Sequence, residues 1–255
     1  MTGWSGFVVS GILVLIRVSG LMLFAPFFSS AALPRTVKAV FTVVLAGLLT
    51  PIAASHPGAV PALGLISMLG ELSTGLLFGL SLTLLMEMLS FSGQLLGLQF
   101  SFSLVNVLDP NSTIETPLLS QLLNTVGLLV LLGAGLDRTL LSALMHTFAV
   151  VPVGTAWLAT RTSLALLQMT GGVFLAAVQL SAPVMAATLL VEVVVALVGR
   201  MSPQLPVLFV GIPLKTLIGY VVLIGSLGVW PRFIEARFDG LLDQGMQLVL
   251  AAHRA

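Results

Sequence analysis

The chain has 255 residues, of which 58% are hydrophobic and only 7% are charged, and its mean hydropathy is +1.15. This composition excludes a soluble globular protein, in which charged residues make up about a quarter of the chain, and the net charge of +1 gives no basic face for nucleic acid. The lack of cysteine excludes disulfides, and the three histidines lie far apart in sequence, so we predict no metal or cofactor site.

Six apolar stretches approach or exceed the roughly 20 residues that a membrane-spanning helix needs. They are Trp4–Phe28, Val37–Ala54, Leu63–Leu89, Pro117–Gly135, Leu164–Gly199 and Val207–Val229. The shorter run Leu140–Val151 predicts a half-length or interfacial helix. Leu164–Gly199 is too long for one span, and Gly171–Gly172 and Pro183 are positions where it can bend or break. We therefore predict an all-α membrane protein with about six hydrophobic helices or hairpins in a single domain, 1–255.

The last segment, Arg232–Arg254, has the pattern of an amphipathic helix. Its apolar residues recur at helical spacing and are Ile234, Phe238, Leu241, Leu248, Val249 and Ala252. Its acidic residues Glu235, Asp239 and Asp243 follow one another at steps of four on another face. Such a helix lies at an interface or against a partner, or it is simply a solvated terminal helix.

The basic residues give two indications of topology. Arg35 and Lys38 favour a cytoplasmic first loop and hence an outside N-terminus, whereas Arg232 and Arg237 favour a cytoplasmic C-terminus. Six full crossings cannot satisfy both, because an even number returns the chain to its starting side. Since Arg17 lies within the first apolar stretch, where a cleaved signal peptide has no charge, we expect that helix to be retained.

Several ionisable residues lie inside the apolar stretches. They are Arg17, Glu71, Glu87, Glu192 and Lys215. An ionised group in hydrocarbon costs roughly 2.5–3.5 kcal/mol on insertion scales, so each must be surrounded by protein or water. Glu192 and Arg200 are too far apart along one helix to bond to each other. We expect Arg17, Glu192 and Arg200 each to find a partner on a neighbouring helix or another subunit.

Two glycine patterns indicate close helix packing. Glu71, Gly75 and Gly79 share a helix face, and Gly93 and Gly97 repeat the same spacing. The Glu71 face fits plain helix packing, a polar contact of Glu71 across the interface, or a proton-titrating carboxylate of a transporter. We find no zinc motif, nucleophile elbow or P-loop, so we predict that the chain is not an enzyme.

The segment Arg200–Lys215 resembles the late signature of the FliR/SctT family, the flagellar and injectisome type III export gate proteins. The matching residues are Ser202, Pro203, Gln204, Gly211, Pro213 and Lys215, whereas Pro206 stands where the family commonly has Asn. Further matches in order along the chain are Arg17, Gly20, Pro26–Phe27, Leu33–Lys38, Glu71, Gly75, Gly79, Gly93, Gly97 and Asp109–Pro110.

The resemblance implies a non-catalytic gate subunit of the flagellar protein export apparatus, in the basal body at the bacterial inner membrane. Its implied partners are FliP-type and FliQ-type gate subunits, an FlhB-type switch protein and unfolded export substrates. It implies that Arg17, Glu71, Glu192 and Lys215 form contacts between subunits, as part of a set of assembly or interhelix contacts. The other members of that set are Gly75, Gly79, Arg200, Pro203, Gln204, Gly211 and Pro213.

The polar mid-chain segment 106–120 resembles the plug that closes the family's channel. The residues predicted to form it are Val105, Asn106, Val107, Leu108, Asp109, Pro110, Asn111 and Ile114. A plain surface connector is the alternative reading of this segment. The alternatives for the whole chain are an injectisome gate subunit, a proton-coupled secondary transporter that uses Glu71 or Glu192, and a membrane anchor without a channel.

Overall fold

A computed structural model describes residues 4–24, 34–60, 62–100, 118–155, 162–202 and 207–253, without the side chains of 136–137, 162–165, 207–208 and 251–253. Within these ranges the chain forms eight helices and no strand, which confirms the predicted all-α fold. The helices are α1 (Trp4–Phe24), α2 (Arg35–Ala54), α3 (Leu65–Gln99), α4 (Leu118–Gly133), α5 (Leu136–Val150), α6 (Thr162–Met201), α7 (Val207–Ser226) and α8 (Trp230–His253).

Five of these helices, α1, α2, α3, α6 and α7, are long and apolar enough to cross a membrane. A sixth crossing results if α4 and α5 together form one span. The all-α membrane fold thus follows from two features that the sequence already carries, long apolar runs and few charges, because a lipid-exposed backbone must satisfy its own hydrogen bonds.

Three differences from the predicted helices affect the later argument. Helix α3 continues to Gln99, beyond the predicted end at Leu89, and takes in Gly93 and Gly97. Helix α6 is one uninterrupted helix of 40 residues with Pro183 inside it, so of the two alternatives, a bend or a break, the break does not occur. Helix α4 begins at Leu118, so residues 118–120 of the predicted plug segment are helical and the segment ends earlier.

The continuity of α6 has a simple physical reason. A proline removes one hydrogen bond of the helix ladder, and each glycine costs about 1 kcal/mol relative to alanine. Ending the helix at Gly171–Gly172 or Pro183 would instead leave several backbone groups without partners, and in an apolar environment no water replaces them. The helix therefore passes through these residues.

The chain divides into two compact units. Unit 1 comprises residues 1–85, 131–171 and 237–255, and unit 2 comprises residues 86–130 and 172–236. The first unit contains α1, α2, α5, most of α8 and the first part of α3, and the second contains α7, the second part of α3 and most of α4 and α6. The single domain expected from the sequence stays a prediction.

Helix α8 confirms the predicted amphipathic pattern. Its predicted apolar residues Ile234, Phe238, Leu241, Leu248 and Val249 are buried, whereas Asp239 and Asp243 are exposed. Gly245 lies directly against Ser81 and Phe78 of α3 within unit 1, where a larger side chain would overlap Ser81. The apolar face of the helix is thus covered by its own chain, and its acidic residues remain at the surface.

Candidate functional site: charged pairs between helices

Helices α1 and α3 approach each other closely in unit 1. A Cβ atom on Gly20 would lie 2.8 Å from the backbone oxygen of Leu72, and one on Gly79 would lie 2.8 Å from that of Leu21. A Cβ atom on Gly75 would overlap the backbone oxygen of Arg17. The predicted small-residue face of α3 is therefore a packing face, with the backbone of α1 resting on its glycines.

The close approach brings Arg17 and Glu71 together. The Arg17 Nε atom donates to Glu71 Oε2 at 2.6 Å, and the two side chains are 1% and 0% exposed. The other Glu71 oxygen, Oε1, accepts the backbone N–H of Gly154 at 2.8 Å. Of the three alternatives for the Glu71 face, these contacts fit the polar contact of Glu71 across the glycine interface.

The remaining donors of Arg17 reach the C-terminal end of α5. Its Nη1 atom donates to the Thr147 carbonyl at 3.2 Å, and Nη2 donates to the Val151 carbonyl at 3.0 Å. The guanidinium also lies over the Phe148 ring, with Cζ 4.4 Å from the ring centroid. Helix C-termini carry unpaired carbonyls and partial negative charge, so a buried cation is well placed there.

The turn after α5 is shaped by a glycine. Gly154 has a φ of 86°, a left-handed conformation that glycine adopts at little cost. The turn presents the Gly154 N–H to the buried carboxylate of Glu71. One charged pair therefore connects α1, α3 and the end of α5.

These contacts correct one expectation. The partners of Arg17 and Glu71 come from the same chain, so the expected intersubunit pairing is wrong for these two residues. Both oxygens of Glu71 are engaged and the pair is sealed from solvent. Such an arrangement leaves neither Glu71 oxygen open to water, which weakens the transporter alternative at Glu71.

Glu192 and Lys215 form a second charged pair, in unit 2. The Lys215 Nζ atom donates to Glu192 Oε1 and joins α6 to α7. The Lys215 side chain is 14% exposed, whereas the Glu192 side chain is 55% exposed. Each again has a partner within the chain, although the exposed Glu192 retains a surface on which a further group can bind.

The remaining predicted residues are placed as follows. Arg200 is exposed in the last turn of α6, where a cation interacts favourably with the helix dipole. Gly211 and Pro213 lie within α7. Glu87 is exposed on α3 and has no side-chain partner among the described residues. Outside the described residues lie Pro203, Gln204 and the predicted plug residues Val105, Asn106, Val107, Leu108, Asp109, Pro110, Asn111 and Ile114.

Several participants in the first charged pair were missed from the sequence. Thr147 and Val151 take part through their backbone carbonyls and Gly154 through its N–H, so their side chains carry no signal. Phe148 could have been noticed only as one aromatic residue among many. No group of three or more metal-binding side chains occurs in the part of the chain that the structure describes.

The family described as bacterial export proteins, family 1, matches residues 8–241 of this chain. The chain is 29% identical over 226 residues to the flagellar biosynthetic protein FliR of Bacillus subtilis, with 86% of each chain covered. It is 26% identical over 229 residues to FliR of Buchnera aphidicola subsp. Acyrthosiphon pisum, with 89% of each chain covered. It is 25% identical over 232 residues to FliR of Escherichia coli, covering 90% of this chain and 88% of that protein.

Proposed function

Because the chain belongs to the bacterial export proteins, family 1, and among them to the FliR family, we propose that it is a channel subunit of the flagellar export apparatus. Membership of that apparatus follows from the family. The proposal adds that the subunit has a non-catalytic role in the inner membrane and helps unfolded substrates to pass. Its proposed neighbours are FliP-type and FliQ-type gate subunits and an FlhB-type switch protein.

The observation that carries the proposal is the length and exposure of α6. A helix of 40 residues is about 60 Å long, about twice the thickness of the hydrocarbon core of a bilayer. Only 17% of its most apolar 18-residue stretch is buried within this chain. Lipid can cover about half of such a helix, so we infer that other subunits cover much of the remainder.

The number of candidate spans supports an outside N-terminus and a cytoplasmic C-terminus. Five crossings would place the loop that contains Arg35 and Lys38 on the same side as Arg232 and Arg237. Both basic clusters would then face the cytoplasm, as the distribution of basic residues in membrane proteins favours. Five crossings avoid the parity conflict that six full crossings create.

We propose that residues 106–117 form the plug of the channel. The support is the family resemblance of this segment and its position between two helices of unit 2. Deleting 106–117 should raise the ion conductance of the assembled complex. A deletion that stops at Pro117 spares α4, where the Ser120 hydroxyl donates to the Ser90 carbonyl at 2.7 Å. Unchanged conductance in a complete complex would contradict the plug assignment.

Co-expression with FliP-type and FliQ-type proteins tests the assembly. A stable complex that purifies through a tag on this chain is the expected result. A chain that purifies alone and takes up solute with protons, in a manner abolished by Glu192→Gln, would favour the transporter alternative. An anchor without a channel predicts instead that the 106–117 deletion changes neither conductance nor export.

Complementation distinguishes the flagellar from the injectisome role. The relatives described above are all named flagellar. Expression of this chain in its native host lacking its own copy should restore flagellar filaments and motility. Restoration of effector secretion without any effect on filaments would favour the injectisome alternative.

A further inference from the structure

We propose that the Glu192–Lys215 ion pair positions the end of α3 between α6 and α7. Gln99 and Phe100 at this end contact Thr188, Gly219 and Tyr220, and we call these three residues the seat. Thr188 and Gly219 lie one helical turn from the ion pair on their helices. All of these residues belong to unit 2.

Helices α6 and α7 meet in a regular antiparallel register. Gly211 faces Val195, since a Cβ atom on Gly211 would lie 3.0 Å from Val195 Cγ1. The next contact along both helices is the ion pair of Glu192 with Lys215. One turn further, the same register brings Thr188 of α6 to the level of Gly219 of α7.

The end of α3 packs against α6 and α7 at the position of Thr188 and Gly219. The Thr188 Oγ1 atom lies within hydrogen-bond distance of Gln99 Oε1, at 3.1 Å, and 3.0 Å from the Val184 and Met185 carbonyls of its own helix, so these three acceptors share its one proton. The Phe100 ring stacks on Tyr220, with centroids 4.6 Å apart and planes at 9°, and Phe100 is only 4% exposed. A Cβ atom on Gly219 would overlap the Phe100 ring. Phe100 thus fits only because α7 presents a glycine there.

Because the ion pair and the seat lie close together on the same two helices, loss of the ion pair should displace the residues of the seat. The pair and the seat are separated by four residues on each helix, about 6 Å along the helix axis. Lys215 is mostly buried, so loss of Glu192 would leave its ammonium group without its carboxylate partner. The lysine would then extend toward the surface and turn the face of α7 that carries Gly219 and Tyr220.

The consequence for export rests on the proposed function. Phe100 immediately precedes residues 101–117, which include the proposed plug. The seat therefore fixes the point at which that segment leaves α3. It also gives the spacing of Gly211 and Lys215 in the late signature a physical meaning, because both residues lie on the α7 face toward α6.

Amide hydrogen exchange measures the seat directly, because the Phe100 N–H donates to the Leu96 carbonyl at 3.0 Å. The experiment uses the full chain in its membrane complex and follows exchange at Phe100 in wild type, Glu192→Gln and Lys215→Met. We expect exchange at least about 10-fold faster in both variants, as in Gly219→Ala, which blocks the seat. Gly225→Ala is the matched control on the same helix, since nothing lies within 4 Å of its added methyl group, and its exchange should equal that of the wild type.

Unchanged exchange in Glu192→Gln and Lys215→Met, together with faster exchange in Gly219→Ala, would overturn the proposal. If the charge variants do not assemble, Thr188→Val removes a seat contact without disturbing a charge. Wild-type exchange at Phe100 in an assembled Thr188→Val complex would also overturn it, and an increase of several-fold would support it.

Ion conductance of the same complexes separates the seat from the proposed function. Faster exchange with increased conductance supports both proposals. Faster exchange with unchanged conductance supports the seat and contradicts its role in gating. Unchanged exchange at Phe100 in Glu192→Gln and Lys215→Met, combined with increased conductance of the 106–117 deletion, contradicts the seat but supports the plug assignment.

Discussion

The Arg17–Glu71 pair gives the sharpest test of how this chain folds. Changing Glu71→Gln keeps the size of the side chain and an acceptor for the Gly154 N–H, but removes the negative charge that faces Arg17 Nε at 2.6 Å. The Arg17 guanidinium then remains fully buried with only two backbone carbonyls and the Phe148 ring as partners. Breaking a buried pair from one side costs about 3–5 kcal/mol.

That loss is a large part of the about 5–15 kcal/mol by which proteins are stable. In a chain of this size 1 kcal/mol shifts the Tm by about 2–4 °C, so we expect a decrease of about 6–20 °C. Thermal unfolding of the purified chain in detergent measures it. Glu87→Gln is the matched control, because it makes the same chemical change on the same helix at an exposed position, and its effect should stay within about 0.5 kcal/mol.

The double variant Arg17→Met/Glu71→Leu separates charge from packing. It removes both charges and should recover part of the loss, while the Val151 carbonyl and the Gly154 N–H remain without their partners at about 1–3 kcal/mol each. A Glu71→Gln protein with the thermal stability of the wild type would refute the reasoning. So would a double variant that is no more stable than Arg17→Met alone.

Three further outcomes test the packing and the topology. Gly75→Ala should destabilise the chain by about 1–3 kcal/mol in the same thermal assay, because its methyl group would overlap the Arg17 carbonyl. Gly97→Ala is the control and should be neutral or slightly stabilising, because nothing lies within 4 Å of its added methyl group. Phe238→Ala should cost about 3–5 kcal/mol because the ring is fully buried, and the exposed Asp243→Ala should cost little; equal effects of these two changes would contradict the packing of α8. Since the chain has no cysteine, a single cysteine placed within 232–237 should react with an impermeant reagent only from the cytoplasmic side, and labelling from outside would contradict five crossings.

The helix faces were predictable where one helix carries the whole pattern. The apolar face of α8 follows from spacing alone, and Phe238 and Leu241 are buried as expected. The glycine face of α3 was also predictable, because Gly75 and Gly79 lie at small-residue spacing after Glu71. Both patterns are local, so the chemistry of a single helix determines them.

The partners of the charges were not predictable in the same way. Arg17 and Glu71 are 54 positions apart, and Arg17 reaches carbonyls 130 and 134 positions away. A backbone carbonyl gives no signal in the sequence, since every residue carries one. The position of Arg17 in an apolar stretch predicts that its charge needs hydrogen-bond partners. Only the packing of α1, α3 and α5 determines which groups these partners are.

The two charged pairs have different consequences because they are buried to different degrees. Arg17 and Glu71 are sealed inside unit 1, so their loss should already destabilise the isolated chain. The Glu192 side chain is 55% exposed and lies on a helix whose apolar surface extends well beyond the length of one bilayer crossing. An ionised carboxylate is expensive in hydrocarbon, so this surface must meet water or protein in the assembled state. Substitutions at Glu192 should therefore lower the thermal stability of the purified chain less than Glu71→Gln does, because the Glu192–Lys215 pair is only partly buried, and they should have additional effects in the export complex.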